Sequence, residues 1–104
     1  MNDSKFEQEI IAKGLTAPRI TANQIEDLCG SLTIKTHHFK GTSSTVALAI
    51  LPNGFVAGVG HSASVSPENF DAEIGARIAT QDALAQARKK LWEMEGYALK
   101  KQLS

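Results

Sequence analysis

Cysteine is nearly absent, with Cys29 standing alone in a chain of 104 residues. One thiol cannot close an internal disulfide, so a packed core must hold the fold, and a reducing cytosol is the natural setting. Cys29 follows Leu28 near the end of a helical pattern and reads as a small core residue, not a nucleophile. Excess charge of one sign is also missing. Eleven basic residues balance eleven acidic ones, and the formal net charge is zero. A protein that grips polymeric nucleic acid through its phosphates carries a basic excess, which argues against that class. No apolar run approaches the length of about 20 residues that a membrane span needs. The opening "MNDSKFEQE" lacks the basic and apolar regions of a signal peptide. The expectation is one cytosolic domain over residues 1–104, with no membrane partner.

Chemistry-bearing constellations are equally sparse. His37, His38 and His61 are the three histidines. Adjacent His37 and His38 on a strand point to opposite faces and do not easily share a metal. With one cysteine and no HExxH spacing, neither a zinc site nor any other cofactor is expected. His61 lies near Ser62 and Ser64, but no nucleophile elbow surrounds them, so hydrolase chemistry is not expected. "GVGHSAS", from Gly58, has Gly-x-Gly without the third glycine and without a βαβ setting. Glycines at such a place mark a bulge or a close backbone approach. The reading is of a protein that binds and does not catalyse.

What is present is clear periodicity. "DSKFEQEIIAKG" suggests a short helix with Phe6, Ile10 and Ile11 on one side and Gly14 as its stop. Thr21 opens a second helix. Gln24 completes a capping box, Ile20 and Ile25 have the spacing of a hydrophobic staple, and Gly30 ends it. "LTIKTHHF" (32–39), "STVALAIL" (44–51) and "FVAGVG" (55–60) read as three antiparallel strands in a meander. On the first, Leu32, Ile34, Thr36 and His38 share a face. Asn53-Gly54 between two apolar runs is a hairpin signal in which both residues tolerate positive φ. From Ser66-Pro67 a helical pattern continues to about Leu103, with Pro67 at the first helical position behind a Ser cap. Phe70, Ile74 and Ile78, then Leu84, Ala87, Leu91, Met94 and Ala98, mark its apolar positions, and Glu73 and Arg77 have the spacing of an exposed ion pair. The fold class is α+β: a three-stranded antiparallel meander, two short N-terminal helices and a long C-terminal helix.

Gly75, Ala79, Ala83 and Ala87 form a ridge of very small residues on that helix. Such a ridge admits another backbone at close range, either that of the chain's own sheet or that of a helix across a dimer. Length bears on the choice. An unbroken helix from Pro67 to Gln102 would run on the order of 50 Å, against a radius of gyration of about 13 Å for a compact domain of this size. Either Gly96 breaks the helix, or the helix projects and asks for a partner.

"SPENFDAEIGARIA" (66–79) holds the most suggestive polar set. Glu73 suits a first helical turn. Asn69 and Asp71 flank Phe70 at a loop–helix junction, where an amide, a carboxylate and an aromatic face can together read a nucleoside. Phosphates would need cations from elsewhere, and Arg19, Arg88, Lys89 and Lys90 are available.

Taken together, "AKGLTAPRIT", "LPNGFVAGVGHSA", "PENFDAEIGARIA" and "KLWEMEGYALKKQL" resemble a family of small phage proteins named for podophage gene products forty-nine and sixty-six. The stretches span most of the chain in the family's order. The family in turn looks related to first-type Thoeris anti-defence proteins. These are phage sponges that hold cyclic ADP-ribose isomers, and in some cases cyclic oligonucleotides, and so silence a bacterial TIR-based alarm. The resemblance implies a homo-oligomer built on dimers, acting in the host bacterial cytoplasm and binding a cyclic nucleotide without cleaving it. It makes Arg19 a phosphate clamp, gives Asn69 and Asp71 ribose or base contacts, and puts Lys90 where relatives carry a cation two residues before the helix tryptophan. An arginine there would offer a two-pronged fork, whereas Lys90 offers a point charge. The helix between "NFD" and Trp92 is about one turn longer here, which moves Lys90 by roughly 5 Å along the axis and lets Arg88 or Arg77 take its role. A reading from another class is a small phage modulator that binds a host protein and no small molecule. Convergence of Arg19, Asn69, Asp71 and Lys90 on one cavity favours the first, and scatter favours the second.

Overall fold

A computed structural model describes residues 3–104. Two short helices, α1 (Asp3–Ala12) and α2 (Ala22–Gly30), precede three strands, β1 (Thr33–His38), β2 (Thr45–Ile50) and β3 (Val56–Ser62). A 3₁₀ turn (Pro67–Asn69) leads into α3 (Ala72–Leu103). The strands form one antiparallel sheet in the order β1-β2-β3. The α+β meander legible in the sequence is therefore the fold. Among the described residues no helix is long and apolar enough to cross a membrane.

The two N-terminal helices differ in what holds them. Thr21 caps α2 through its hydroxyl, which accepts from the Gln24 N–H at 3.2 Å, while the Gln24 side chain accepts from the Thr21 N–H at 3.2 Å. Both halves of the capping box are thus made. Ala22 and Ile25 anchor α2 in the interior. In contrast, α1 buries no residue. Phe6 is 60% exposed and Ile11 is also exposed, so the expected apolar face does not form. Glu7 replaces it as the anchor. Its carboxylate accepts both prongs of the Arg19 guanidinium at 2.8 and 2.9 Å and the Ala22 N–H at 3.0 Å.

The hairpin from β2 to β3 turns on three residues. Leu51 N–H donates to Phe55 O at 2.9 Å and Gly54 N–H to Leu51 O at 2.8 Å, leaving Pro52, Asn53 and Gly54 as the loop. Gly54 has φ +90°, and no described residue other than glycine has positive φ. Asn53 instead accepts the Phe55 N–H on its side chain at 2.9 Å. The hairpin signal at Asn53-Gly54 thus marks a real turn, in which Gly54 alone uses the positive φ that both residues tolerate, because Pro52 sets up an ordinary turn that a left-handed glycine closes.

α3 lies across one face of the sheet. Its buried residues are Ala79, Ala83, Ala87 and Leu91, and facing them are Ala47 and Ala49 of β2 and Ala57 of β3. Leu32, Ile34 and Leu51 flank this core. A Cβ built on Gly58 would stand 2.2 Å from Ala83 O, and one on Gly60 would stand 2.0 Å from Ala79 O. The glycines of "GVGHSAS" are therefore a close backbone approach, and the small ridge packs on its own sheet. The ridge consequently makes no argument for a dimer. On β1 the face expected to point inward is only half used, since Thr36 and His38 are exposed.

The helix itself corrects further expectations and decides between the two alternatives at Gly96. It begins at Ala72, not at Pro67, because Phe70 and Asp71 are extended. Ser66 makes no side-chain cap, and Asp71 caps α3 instead. Gly96 does not break it, and 32 residues continue to Leu103. Ile74, Ile78, Leu84 and Met94 are exposed, because the narrow contact with a sheet of alanines and glycines admits only the ridge. Glu73 and Arg77, both exposed, make no ion pair with each other.

Candidate functional site

The junction of β3 and α3 gathers most of the polar side chains that no core contact explains. After Ser62 the chain leaves the sheet, closes the 3₁₀ turn through Asn69 N–H to Ser66 O (3.0 Å) and Phe70 N–H to Pro67 O (3.1 Å), and then straightens. Straightening turns Phe70 back toward β1, where its ring stacks on His38 with centroids 4.6 Å apart and an angle of 22°. Asp71 accepts the Ile74 N–H at 2.9 Å on one carboxylate oxygen. Capping thus accounts for Asp71 Oδ1 but not for Oδ2.

Serines fasten this junction to the sheet. Ser43 Oγ donates to Ser64 O at 2.5 Å and accepts the Ser64 N–H at 3.2 Å. Ser62 Oγ donates to Gly75 O at 2.6 Å. Beside them Thr45 is 3% exposed, and its hydroxyl has no hydrogen-bond partner. A buried hydroxyl without a partner is costly, which makes this spot polar and unsatisfied. Two depressions meet here. One, of about 320 Å³, is lined by Gly41, Thr42, Ser43, Pro67 and Phe70. A smaller one, of about 50 Å³, includes Ser62, Ser64, Asn69, Phe70 and Asp71. They share Ser43 and Phe70.

Of the residues singled out in the sequence, Asn69, Phe70 and Asp71 come together. The cations do not join them within one chain. Arg19 sits in the α1–α2 loop, bound by both prongs to Glu7. That hydrogen bond, helped by the Ala22 N–H, holds the Glu7 carboxyl below the usual carboxylate range, and it pushes Arg19 up. Arg88 binds two carboxylates, Asp3 at 2.9 Å and Glu26. It lines a different groove, of about 680 Å³, with Ala85, Gln86, Lys89, Trp92 and Glu93. Lys90 is exposed and lines none of these depressions. Along α3, Arg88 and Lys90 stand roughly 25 and 28 Å from Asp71 at about 1.5 Å per residue. Arg77 is the arginine at the junction's end of the helix, exposed and with no ion pair among the described residues.

Sequence reasoning missed His38, Ser43 and Ser64. Nothing in their spacing ties residues 38–43 to residues 64–70, since a turn in β1–β2 and a loop after β3 meet only through the strand register. One signal was available: an antiparallel meander places the β1–β2 turn at the same end of the sheet as the exit from β3. As for metals, no group of three or more His, Cys, Asp or Glu among the described residues could hold one.

The profile of the Phage protein (N4 Gp49/phage Sf6 gene 66) family matches residues 20–103. That span takes in α2, the whole sheet, the junction and α3, and it leaves out α1 and Arg19. No curated protein and no solved structure matches the chain. With a match over most of its length and with the quoted motifs in place on the fold, the chain belongs to this phage protein family.

Proposed function

We propose that the protein is a phage-encoded binding protein of the host cytoplasm that sequesters a cyclic nucleotide immune signal, a cyclic ADP-ribose isomer or a cyclic oligonucleotide, without cleaving it. The observation that carries the reading is the Phe70–His38 stack beside Asn69 and Asp71 at the edge of the 320 Å³ depression. Aromatic faces bind bases through stacking, and an amide with a free carboxylate oxygen supplies the hydrogen bonds that ribose and base edges require. A volume of about 300 Å³ is the lower end of the range for small-molecule sites. Arg77, at this end of α3, supplies a cation for phosphate.

A thermal-shift series with cyclic ADP-ribose isomers and cyclic di- and trinucleotides tests the reading. A ligand present at about 100 times its Kd stabilises the native state by about 2.7 kcal/mol, which is readily measured. Asn69→Ala should abolish the shift at unchanged basal melting temperature. Asp71→Asn keeps the α3 cap, since Asn caps as well as Asp does, yet removes the carboxylate. A lost shift in that variant marks a ligand contact. Heating the complex should then release the nucleotide intact, whereas a recovered product would mean catalysis. No shift with any of these nucleotides, beside a responding control sponge, sinks the reading.

One observation favours the second reading, a modulator that binds a host protein. Arg19 and Arg88 are committed to carboxylates, and Lys90 stands apart from the junction. If the nucleotide series is negative, a purified host partner that forms a complex of fixed stoichiometry with the chain becomes the expected outcome.

A further inference from the structure

The groove that Arg88 enters is built from one stripe of α3. Ala85, Arg88, Lys89 and Trp92 follow one another at three- and four-residue steps, which puts them on one side of the helix. At about 680 Å³ the groove falls within the range of small-molecule sites. Ala85 and the Trp92 indole are apolar. Arginine and lysine lay their aliphatic stems along such surface while their charged heads stay in reach of water or of an anion. Glu93 lines the groove as well, but it is exposed, so solvent screens its charge.

Two polar features of this groove are not explained by folding. The first is Trp92, whose Nε1 is buried and has no hydrogen-bond partner among the described residues. An indole N–H can only donate, and a buried donor without an acceptor is costly, so the site asks for an acceptor. The second is the Arg88 guanidinium. Its two ends are held by carboxylates from distant elements, Asp3 of α1 on Nη1 at 2.9 Å and Glu26 of α2 on Nη2. The fork therefore displays the chemistry it accepts, which is a carboxylate. Arg88 and Trp92 are neighbours one helical turn apart, so one carboxylate can address both donors.

Of the two carboxylates, Asp3 is the one that can leave. Its helix buries no residue, and the ties described above run from Glu7 to Arg19 and Ala22 and from Asp3 to Arg88. Glu26 instead belongs to α2, which Ala22 and Ile25 anchor in the interior. The family profile starts at residue 20, so it contains the groove and Glu26 but not α1. A carboxylate that displaces Asp3 exchanges one charged hydrogen bond for another, with little net change at the fork. An apolar body attached to that carboxylate adds burial against Trp92 and Ala85, which Asp3 cannot supply.

We propose that the groove binds a small amphipathic monocarboxylate, with its carboxylate on Arg88 and the Trp92 N–H and its apolar body along Trp92 and Ala85, and that Asp3 of α1 is the built-in competitor for this site. α1 then acts as a plug, and a ligand with an apolar body displaces it. The proposal does not rest on the nucleotide reading, because neither Arg88 nor Trp92 lines the depressions at the β3–α3 junction.

Trp92 is the chain's one tryptophan, so its fluorescence reports on this groove. Octanoate titrated into the full chain is the probe. Octanol serves as the uncharged analogue, and sodium chloride at matched ionic strength controls for screening. The expected result is a saturable change in Trp92 emission with octanoate and none with octanol or chloride at the same concentrations. Arg88→Gln should lose the response at an unchanged circular-dichroism spectrum. Glu7 does not line the groove, and Glu7→Gln loosens α1 alone. That variant should tighten octanoate binding by roughly two- to fivefold, the weight of one ion pair near the surface. Glu9→Gln, which removes an α1 carboxylate paired with Lys13 in solvent, should leave the affinity unchanged. Should Arg88→Gln fail to fold, the octanol comparison and Glu7→Gln carry the test. No saturable response to octanoate, or an equal response to octanol, overturns the proposal. Unchanged affinity in Glu7→Gln overturns the part that makes Asp3 the competitor.

Discussion

At Gly58 and Gly60 one added methyl would enter the α3 backbone, and this fixes both the composition of the core and its sensitivity. The atoms it would meet are carbonyl oxygens and amide nitrogens of Ala79, Ala83 and Ala87. Backbone cannot rotate aside as a side chain can, so the helix as a whole would have to lift. Overpacking typically costs about 1–3 kcal/mol, and Gly60→Ala should fall at or above the upper end. Gly96 is the counter-case. It lies inside α3, and nothing stands within 4 Å of its missing Cβ. Gly96→Ala should therefore stabilise by roughly 0.5–1 kcal/mol through helix propensity alone. Thermal unfolding of both variants checks the pair, and a neutral Gly60→Ala would mean that β3 and α3 are not in backbone contact. The ridge at residues 75, 79, 83 and 87 and the glycines of "GVG" were both legible in the sequence as small-residue contacts. That they contact each other was not, because the spacing of small residues is the same whether the partner is a sheet or another helix.

Elements were legible where local chemistry decided them and illegible where tertiary contacts did. The capping box of α2 and the three strands follow from residues within a few positions of one another. The start of α3 does not. Ser66-Pro67 is a good local start, yet the stack of Phe70 on His38 requires an extended residue at 70, which moves the cap to Asp71. The same limit applies to α1, whose period suggests an apolar face and whose actual anchors are charges. Arg19 holds Glu7, and Arg88 holds Asp3. This arrangement has a pH signature. The folded Glu7 carboxyl is held below its ordinary value by the Arg19 hydrogen bond and then by the Ala22 N–H. The released form consequently takes a proton more readily. The latch contributes fully above the ordinary glutamate pKa of about 4.3 and is lost as pH falls through the lower folded value. Amide protection in residues 3–12, taken relative to the intrinsic exchange rate at each pH, should fall on acidification through that window, ahead of protection in β2. Glu7→Gln should show the same loosening at neutral pH. Equal protection of α1 in the variant and the wild type would show that the latch does not hold the helix.

On the scale of the whole molecule, length is what separates this chain from a compact domain. Its extents are 55 × 28 × 18 Å and its radius of gyration is 17.3 Å, against about 13 Å for a compact chain of this size. The sequence forced a choice between a break at Gly96 and a projecting helix, and the helix projects. The strands span six or seven residues each, roughly 20 Å, whereas α3 runs for roughly 48 Å. The last residue buried on the ridge is Leu91. Beyond it Met94, Tyr97 and Leu103 are exposed, and Gly96 interrupts a run of good helix formers. Helical segments of about a dozen residues are marginal in water unless packing holds them. Two levels of amide protection should therefore divide α3: near-global protection over residues 79–91, where exchange requires the sheet contact to open, and much weaker protection over residues 97–103. Hydrogen exchange by mass spectrometry resolves the two segments directly. Uniform protection to Leu103 would mean that the overhang is itself covered.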